Sequence, residues 1–370
     1  MNNALLFIGG LVALVAGAEL LVRGASKLAL SFGISPLVVG LTIVAFGTSA
    51  PEVAVSVGAA LDGNTDIAIG NVVGSNIFNV LFILGVSAMI TPLVVNSQLI
   101  RQEVPIMIGA SLLLLFFSLD GRLGLAESAI LLLLLVVYTV FLVRQSRAQT
   151  RSETQVGAEN GAANGTATGA NPALAPSAWD SRLPVQLALI AAGLALLVFG
   201  SDWLVTASVA FARQLGVSDL VIGLTIVAAG TSMPEVATSI TAAIKGERDI
   251  AVGNVVGSNT FNILGCLGLS GLVSGSGLSV PQAVLNFDIW VMLAAAIACL
   301  PVFLSGRQIA RWEGAVLVLY YAAYAGYLVL AAQRHDALGP FSQLMIGFVL
   351  PLTVITIVVS VLRRPQNAGH

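Results

Sequence analysis

Two short segments combine the residue types that bind cations with the one residue that interrupts a helix. "GTSAPEVA" begins at Gly47 and "GTSMPEVA" begins at Gly230, each inside a long apolar run. Each segment places a threonine, a serine, a proline and a glutamate close together. A proline removes a helical hydrogen bond, and a carboxylate surrounded by hydrocarbon is costly. The sequence therefore predicts two interrupted helices that form a buried, oxygen-rich site.

The proline has a consequence for the main chain around it. Pro51 lacks the N–H group that would bond to a carbonyl near Gly47, and the glycine lets the backbone open there. Unpaired carbonyls at membrane depth persist only where protein or a polar cavity satisfies them, and a cation does this well. The predicted carbonyl donors are those of Ala45, Thr48, Ala228 and Thr231. The predicted side-chain donors around them are Thr48, Ser49, Glu52, Thr231, Ser232 and Glu235.

A second duplicated segment adds hydroxyl and amide oxygens. "GNVVGSNIFN" begins at Gly70 and "GNVVGSNTFN" begins at Gly253. Residues four apart share a helix face, which pairs Ser75 with Asn79 and Ser258 with Asn262. The remaining asparagines are predicted to tie helices together, with ion binding as the alternative: Asn71, Asn76, Asn254 and Asn259. A set made only of oxygen suits Ca²⁺ or Na⁺, whereas zinc, copper and iron favour imidazole or thiolate.

Composition places the chain in a membrane. Of its 370 residues 57% are hydrophobic and only 9% are charged, and the mean hydropathy is +0.96. A net charge of −2 offers no basic surface for nucleic acid. Cys266 and Cys299 lie in apolar runs, which predicts buried thiols and excludes a disulfide framework or a zinc site built on cysteine. No cleavable signal is apparent, since basic residues are missing before the first apolar run.

Eleven apolar runs are long enough to cross a bilayer as helices. They lie near 4–30, 36–60, 67–90, 99–119, 124–143, 184–212, 219–244, 250–274, 283–304, 310–332 and 340–362. The segment between the fifth and sixth runs is rich in Gly, Ala, Asn, Thr and Pro, which predicts a disordered linker. The expected organisation is a first repeat over 1–143, a cytoplasmic linker over 144–183, a second repeat over 184–332, and an extra helix and tail over 333–370.

The two halves of the chain are related. Residues 33–79 align without a gap to residues 216–262, with 33 of 47 positions identical. Because each repeat contains five spans, an odd number, the second repeat must enter the membrane upside down. The predicted fold is an all-α polytopic membrane protein with two inverted five-helix repeats, ten core transmembrane helices and an eleventh C-terminal helix. In such transporters the binding sites lie near the midplane, where the repeats meet.

The distribution of basic residues predicts the orientation. With the N-terminus outside, thirteen of the sixteen lysines and arginines fall in cytoplasmic segments. The positive-inside rule therefore places the N-terminus outside and both the linker and the C-terminus in the cytoplasm. Within the first span, Glu19 and Arg23 are four apart and are expected either to pair or to be plain interfacial charges. Glu19 aligns with Asp202 in the sixth span.

The duplicated motifs resemble the α1 and α2 repeats of the sodium/calcium exchanger family, within the wider cation/Ca²⁺ exchanger superfamily. The resemblance implies ten core helices with four ion sites between the second, third, seventh and eighth. It implies a plasma (inner) membrane antiporter that exchanges Na⁺ for Ca²⁺ by alternating access, with the first and sixth helices sliding. Such a protein is not an enzyme, has no cofactor, and has Na⁺, Ca²⁺ and the lipid bilayer as its partners. A homodimer is left open, and so is the role of the eleventh helix as a peripheral or dimer helix.

The resemblance also assigns ligands residue by residue. Ca²⁺ would be held by Glu52, Glu235 and the carbonyls of Thr48 and Thr231. One sodium set would comprise Ala45, Thr48, Ser49, Glu52 and Ser75. The other sodium set would comprise Ala228, Thr231, Ser232, Glu235 and Ser258. Asn79 and Asn262 would complete the centre.

One departure from the family leaves the coupling ion open. Many relatives carry an acid at one or both central positions, where this chain has Asn79 and Asn262. Sodium number, proton competition and K⁺ coupling are therefore not fixed by the sequence. The alternatives are an H⁺/Ca²⁺ antiporter, a K⁺-dependent Na⁺/Ca²⁺ exchanger and a passive cation channel, with Mg²⁺ or Mn²⁺ as other cargoes. An intramembrane enzyme is disfavoured, because the chain has no HExxH motif and only two histidines.

Overall fold

A computed structural model describes residues 3–163, 180, 182–216, 226, 228–304 and 306–362. The first half comprises α1 (Asn3–Phe32), α2 (Pro36–Thr48), α3 (Ala50–Leu61), α4 (Thr65–Ile90), β1 (Leu93–Val94), α5 (Leu99–Phe117), β2 (Arg122–Leu123) and α6 (Leu125–Ala163). The second half comprises α7 (Leu183–Gln214), the single turn α8 (Ala228–Gly230), α9 (Met233–Ile244), α10 (Arg248–Val273), β3 (Leu278–Ser279), α11 (Val284–Leu304), β4 (Gln308–Ile309), α12 (Arg311–Ala332) and α13 (338–362).

The all-α polytopic architecture is confirmed. Within the described residues, nine helices are long and apolar enough to cross a membrane, and the bent pair α2–α3 makes a tenth span. The predicted run near 219–244 is described only from Ala228 onward, apart from residue 226, because residues 217–225 and 227 lie outside the described part. The C-terminal helix α13 is present, and residues 345–349 form a π-helical turn within it.

The long helices α1 and α7 pack against each other along their length in opposite directions. A Cβ atom on Gly10 would lie 2.8 Å from the carbonyl oxygen of Gly200, and one on Gly17 would lie 2.8 Å from that of Gly193. Small residues at such contacts let two membrane helices approach until their backbones touch. The glycines thus leave a smooth contact line between the two helices.

The α1–α7 pair packs unequally against the two interrupted spans. Both α1 and α7 pack on α9, the second half of the seventh span. Among the described residues, neither helix packs to a comparable extent on α3, the corresponding half of the second span. The two repeats are therefore alike in sequence but not in the contacts that α1 and α7 make with them.

Helices α4 and α10 form the centre of the molecule. An apolar stretch of 18 residues in α10 is entirely buried, and the corresponding stretch of α4 is 72% buried. In α12 and α13 only 6% and 0% of such a stretch is buried. Residues of α10 approach α2 closely, since a Cβ atom on Gly257 would lie 2.7 Å from the carbonyl oxygen of Leu41. The most buried helices are those that carry the duplicated polar motifs.

Two short antiparallel strand pairs join the repeats. Strand β1 pairs with β4 through Leu93 and Ile309, and β2 pairs with β3 through Leu123 and Leu278. The end of α4 therefore lies beside the start of α12, while the end of α10 lies beside the start of α6. The third span of the first repeat, α4, and its counterpart α10 consequently end on opposite sides of the molecule, as an inverted repeat requires.

Two local expectations differ from the structure. The first is the linker, for which the composition predicts disorder from residue 144. Helix α6 instead continues through Ala163, because this stretch is rich in Ala, Gln, Glu and Arg, which are good helix formers. The rest of the expected linker, 164–179 and 181, lies outside the described residues, and its assignment stays a prediction.

The second difference concerns the charges of α1. Glu19 does not pair with Arg23 but contacts Lys245 at the end of α9. Arg23 instead forms an ion pair with Asp180, with 2.8 Å between Nη2 and Oδ2. The hydrogen bond from Arg23 lowers the pKa of the Asp180 carboxyl. Four-residue spacing allows two side chains to meet on a helix, but partners on packed neighbouring segments are preferred here.

Candidate cation site

The second span is interrupted at Ser49. Helices α2 and α3 meet there with a bend of 45°, and the Ser49 backbone has φ −80° and ψ 8°. Pro51 occupies the first turn of α3, where its missing N–H group leaves no helical bond unmade. Glu52 lies in that same turn and is fully buried. The break therefore places a carboxylate, two hydroxyls and the carbonyl end of α2 at one point inside the protein.

The second repeat forms the same break. Ser232 has φ −88° and ψ 9°, nearly the values at Ser49, and Glu235 lies buried in the first turn of α9. Each break also has a glycine that admits a side chain of α7. A Cβ atom at Gly47 would lie 2.6 Å from Leu194, and one at Gly230 would lie 2.5 Å from Val205. The two interrupted spans are thus near copies in backbone, although both of their glycines contact α7.

The two glutamates are bound by the serines of the opposite repeat. Ser232 donates a hydrogen bond to Glu52 Oε1 at 2.8 Å, and Ser49 donates one to Glu235 Oε1 at 2.9 Å. Since Ser49 is three residues from Glu52, each repeat supplies both a carboxylate and the hydroxyl that binds the other carboxylate. The structure therefore brings Glu52, Glu235, Ser49 and Ser232 together in one fully buried cluster.

Asparagines of the third and eighth spans hold the threonines of the opposite repeat. Thr48 donates to Asn254 Oδ1 at 3.1 Å. Thr231 donates to Asn71 Oδ1 at 3.3 Å. The amides of Asn254 and Asn71 donate in turn to Ser239 and Ser56, at 2.9 Å and 3.0 Å. These two asparagines tie helices together, which is the role favoured for them from the sequence.

A second amide network closes the centre between α4 and α10. Asn79 donates to Asn259 Oδ1 at 2.9 Å, and Asn262 donates to Asn76 Oδ1 at 3.1 Å. Asn76 and Asn259 also donate to each other's carbonyl oxygens, at 3.2 Å and 3.3 Å. These contacts fix the amide orientation of both central residues, so that each of their Oδ1 atoms remains available.

Six buried oxygens of the predicted site residues have no hydrogen-bond partner among the residues that the structure describes. They are Glu52 Oε2, Glu235 Oε2, Ser75 Oγ, Ser258 Oγ, Asn79 Oδ1 and Asn262 Oδ1. A buried polar atom without a partner is costly, and a set of them in one place needs an explanation such as a bound ion. Three are contributed by each repeat, and all belong to residues that the sequence assigned to the site.

The main-chain donors are only partly described. The carbonyl oxygen of Ala45 accepts from the Ser49 amide at 3.1 Å and from the Thr48 hydroxyl at 3.4 Å. It therefore keeps partners of its own next to the site. Ala228 lies in the turn α8 at the equivalent position, but residue 227 before it lies outside the described residues. The roles of both alanines remain predictions.

Sequence reasoning missed three neighbours of the cluster. Ser56 and Ser239 bind the asparagine amides, and the Cys266 thiol contacts the main-chain oxygen of Glu52 at 3.5 Å. The serines occupy identical positions in the two repeats, one turn after each glutamate. That identity is a usable signal, whereas Cys266 has no counterpart and could be found only from packing.

The arrangement is suited to a hard cation. Its donors are carboxylate, hydroxyl, amide and carbonyl oxygens, which Ca²⁺ binds in sets of about 6–8. Within the described residues, no group of three or more His, Cys, Asp or Glu side chains is assembled. Two carboxylates match the charge of one divalent cation, and the neutral oxygens around them can complete its coordination.

A model of the sodium/calcium exchanger protein family matches residues 2–144 and 185–330. The chain belongs to this family. The matched regions contain both interrupted spans and both buried glutamates, and they leave out residues 145–184 and everything after residue 330. The recognition made from the duplicated motifs is therefore confirmed.

Individual relatives of this exchanger cover nearly its whole length. It is 40% identical to the putative antiporter CaxA of Alkalimonas amylolytica, over 87% of this chain and 97% of the relative. It is 37% identical to the sodium/calcium exchanger MaX1 of Methanosarcina acetivorans, over the same shares. A solved structure of the sodium-calcium exchanger NCX_Mj soaked with Na⁺ and Sr²⁺ superposes with a TM-score of 0.71, at 29% identity, covering 87% of this chain and 97% of the other.

Proposed function

We propose that this exchanger is a secondary antiporter that moves Na⁺ and Ca²⁺ in opposite directions across the plasma membrane. The observation that carries the proposal is the crossed arrangement of Glu52 and Glu235, each bound by a serine of the opposite repeat. Two buried carboxylates with unpartnered oxygens attract cations strongly, because bare charges are expensive inside a membrane protein. The sodium/calcium exchangers among its relatives support the choice of ions.

The ligand assignment follows the donor set. Ca²⁺ binds between Glu52 and Glu235, with the carbonyls of Thr48 and Thr231 completing its shell. One flanking sodium set comprises Ala45, Thr48, Ser49, Glu52 and Ser75. The other comprises Ala228, Thr231, Ser232, Glu235 and Ser258. Asn79 and Asn262 contribute at the centre, where their unpartnered oxygens support this role.

Competition for the two glutamates explains why the flux is exchange and not leak. One Ca²⁺ neutralises both carboxylates, and several Na⁺ ions do the same. An empty site carries two uncompensated charges, so its passage through the closed intermediate is disfavoured. The transporter therefore changes its access only when loaded, which couples the movement of one ion to the return of the other.

The packing of α1 and α7 supports a switch of access between two sides. In the orientation proposed from the basic residues, with the N-terminus outside, α9 lies towards the cytoplasm and α3 lies towards the outside. The α1–α7 pair packs on α9 and leaves α3 less covered. We assign this arrangement to a state closed towards the cytoplasm, and its mirror image, with the pair on α3, to the state closed towards the outside.

Proteoliposomes test the function directly. Vesicles loaded with Na⁺ should take up Ca²⁺ only while an outward Na⁺ gradient exists. Glu52→Gln and Glu235→Gln should each abolish uptake, because the amide removes one of the two charges that Ca²⁺ needs. Asp120→Asn is the matched control, since Asp120 is an exposed acid in the turn before β2, and it should transport normally.

The same vesicles distinguish the alternatives. Uptake driven equally well by a pH gradient would replace this proposal with H⁺/Ca²⁺ antiport, and an absolute need for K⁺ would indicate K⁺-dependent exchange. Flux that ignores every gradient except that of Ca²⁺ itself would indicate a channel. Competition by Mg²⁺ or Mn²⁺ in the same assay identifies the preferred cargo.

A further inference from the structure

Two acid–tyrosine pairs lie outside the cation site at equivalent places in the two repeats. Tyr138 of α6 donates a hydrogen bond to Glu103 Oε2 at 2.8 Å. Tyr324 of α12 donates one to Asp288 Oδ1 at 2.9 Å. In both repeats the acid is the last residue of a π-helical turn that begins a span, Leu99–Glu103 in α5 and Val284–Asp288 in α11. Such turns occur frequently at functional positions.

Glu103 is a fully buried acid whose side-chain partners in the described part of the chain are all neutral. Its Oε1 accepts from Gln98 at 2.9 Å and from Gln102 at 2.7 Å, while Oε2 accepts from Tyr138. These three hydrogen bonds together fix the start of α5 against α6.

Each acid is one helical turn from a methionine that contacts the asparagine network. Met107 follows Glu103 by four residues, and its sulfur accepts from Asn259 Nδ2 at 3.6 Å. Met292 follows Asp288 by four residues, and its sulfur accepts from Asn76 Nδ2 at 3.7 Å. A thioether is a weak acceptor, but each sulfur gives one N–H of an asparagine amide a partner.

The series of contacts continues from Asn259 and Asn76 to Asn79 and Asn262, the two asparagines at the centre of the site. Asn259 Oδ1 accepts from Asn79, and Asn76 Oδ1 accepts from Asn262. Each of these hydrogen bonds determines which way the amide of Asn79 or Asn262 points. The amide donates its N–H, and its own Oδ1 has no partner in the described part of the chain. The series from acid to methionine to asparagine therefore ends at an oxygen of the cation site, and it is present twice.

We propose that Glu103 and Asp288 are positioning residues for ion binding. Each acid, held by its tyrosine, sets the depth of α5 or α11 and thereby the place of Met107 or Met292 against the asparagine network. The network then holds Asn79 Oδ1 and Asn262 Oδ1 towards the ion. This inference rests on the proposed function, because it assigns these residues to the same cation site.

The two pairs differ in a way that sharpens the test. Glu103 keeps two glutamine donors when Tyr138 is removed, whereas Tyr324 is the one side-chain donor that Asp288 has among the described contacts. Tyr324→Phe should therefore have the larger effect of the two tyrosine variants. Loss of a hydrogen-bond partner next to a metal ligand typically costs about 10-fold to 100-fold in affinity. Since the tyrosines act at greater distance, we expect the KM for Ca²⁺ to rise about threefold in Tyr324→Phe and less in Tyr138→Phe.

The variants Tyr138→Phe, Tyr324→Phe, Met107→Leu and Met292→Leu are compared in proteoliposomes and by thermal unfolding in detergent. We expect a raised KM for Ca²⁺ with nearly unchanged maximal rate and unfolding midpoint. The double variant Tyr324→Phe/Met292→Leu should be no worse than the more affected single variant, because both changes act through one contact series. Thr139→Val and Tyr327→Phe are the controls. Thr139 donates only to Leu135 of its own helix, and the Tyr327 ring stacks on Phe287.

Three results would overturn the inference. An unchanged KM in Tyr324→Phe and Met292→Leu would do so, and so would a lowered unfolding midpoint and maximal rate without a change in KM, which would give the pairs a purely structural role. Additive effects in the double variant would show that the tyrosine–acid pair and the methionine act independently of each other. Absence of Ca²⁺ flux in the unmodified protein would instead refute the proposed function. The contact series would then be judged from the rise in unfolding midpoint that each added cation produces in the same variants.

Discussion

The hydroxyls of Ser49 and Ser232 can each donate to a carboxylate and still offer lone pairs to a cation. A hydroxyl has one hydrogen to donate and two lone pairs that accept. In the structure the hydrogen of each serine is directed to the glutamate of the opposite repeat. The lone pairs remain available for a cation, so a serine can orient one carboxylate and bind an ion at the same time. Under the proposed function, this accounts for the presence of hydroxyls as well as charges in the cluster.

Replacing either serine should therefore weaken ion binding without unfolding the protein. A hydrogen bond to a charged group contributes about 1.5–3 kcal/mol, which corresponds to an affinity change of about 10-fold or more. We expect Ser49→Ala and Ser232→Ala each to raise the Na⁺ concentration needed for half-maximal Ca²⁺ uptake by about 10-fold. The measurement is Ca²⁺ uptake at a series of internal Na⁺ concentrations.

Ser87→Ala is the matched control for these serines. Ser87 is also buried, but it lies near the end of α4 and its hydroxyl belongs to no part of the cluster. It should leave the Na⁺ dependence unchanged. Equal Na⁺ dependence in all three variants and the unmodified protein would mean that the serine hydroxyls do not contribute to the site.

The sequence predicted which polar residues come together better than it predicted their contacts. Because the motifs recur in both halves, Glu52 and Glu235 could be assigned to one centre from the sequence alone. It could not be predicted that each glutamate is bound by the other repeat's serine, since that depends on how α3 and α9 face each other. The pair Glu103 and Tyr138 was missed for the same reason: its members are far apart in sequence, and no repeat motif as long as the first two marks them.

The interrupted second span depends on its proline. In the middle of a continuous helix a proline costs about 3 kcal/mol, but in the first turn of a helix it costs almost nothing. Pro51 therefore favours a separate helix starting at Ala50 over one unbroken helix. The bend of 45° exposes the end of α2 and aims Glu52 into the cluster.

We expect Pro51→Ala to impair transport while leaving stability unchanged or higher. The new N–H group can bond to the carbonyl near Gly47 and favours joining α2 to α3, which moves Glu52 out of place. Ca²⁺ uptake should fall by about 10-fold or more, because even small displacements of a ligand are costly for binding. The unfolding midpoint of the purified protein should not fall.

Pro301→Ala is the comparison for that variant. Pro301 lies inside α11, away from the cluster, so its replacement should raise stability and leave uptake unchanged. A Pro51→Ala protein that transports normally would show that the break persists without its proline, and the argument from helix interruption would then be wrong.

The elements themselves were largely predictable because the bilayer limits the length of an apolar helix. Ten of the eleven expected spans occur near their expected bounds, and the other is only partly described. The exception in length is α6. Its apolar run ends at residue 143, which predicted the end of the helix there, but the helix continues to Ala163. Beyond residue 143 the chain leaves the membrane but keeps strong helix formers, so hydropathy could locate the span but not the end of the helix.

At the scale of the whole molecule, the two repeats are unlike in one pair of charges. Glu19 of α1 contacts Lys245 at the end of α9. By the alignment of the repeats, Asp202 takes the place of Glu19 and Asp62 takes the place of Lys245. The mirror-image state would therefore bring two acids together, where the present state has an acid and a base. The charges favour the arrangement in which the α1–α7 pair lies on α9.

Changing these charges should shift the balance between the two access states. Half-exposed ion pairs contribute about 0.2–1 kcal/mol, which limits the shift to about fivefold. Lys245→Gln removes the existing pair, and Asp62→Lys creates the mirror pair with Asp202, so both should raise the KM for external Ca²⁺ and lower the KM on the cytoplasmic side. Glu19→Lys combined with Lys245→Glu restores an attractive pair and should return both values to normal. Arg101→Gln, which removes an exposed charge from the start of α5, should change neither value. If either variant left the external KM unchanged, or if one of them raised it while the other lowered it, the charge asymmetry would not govern which side the site faces.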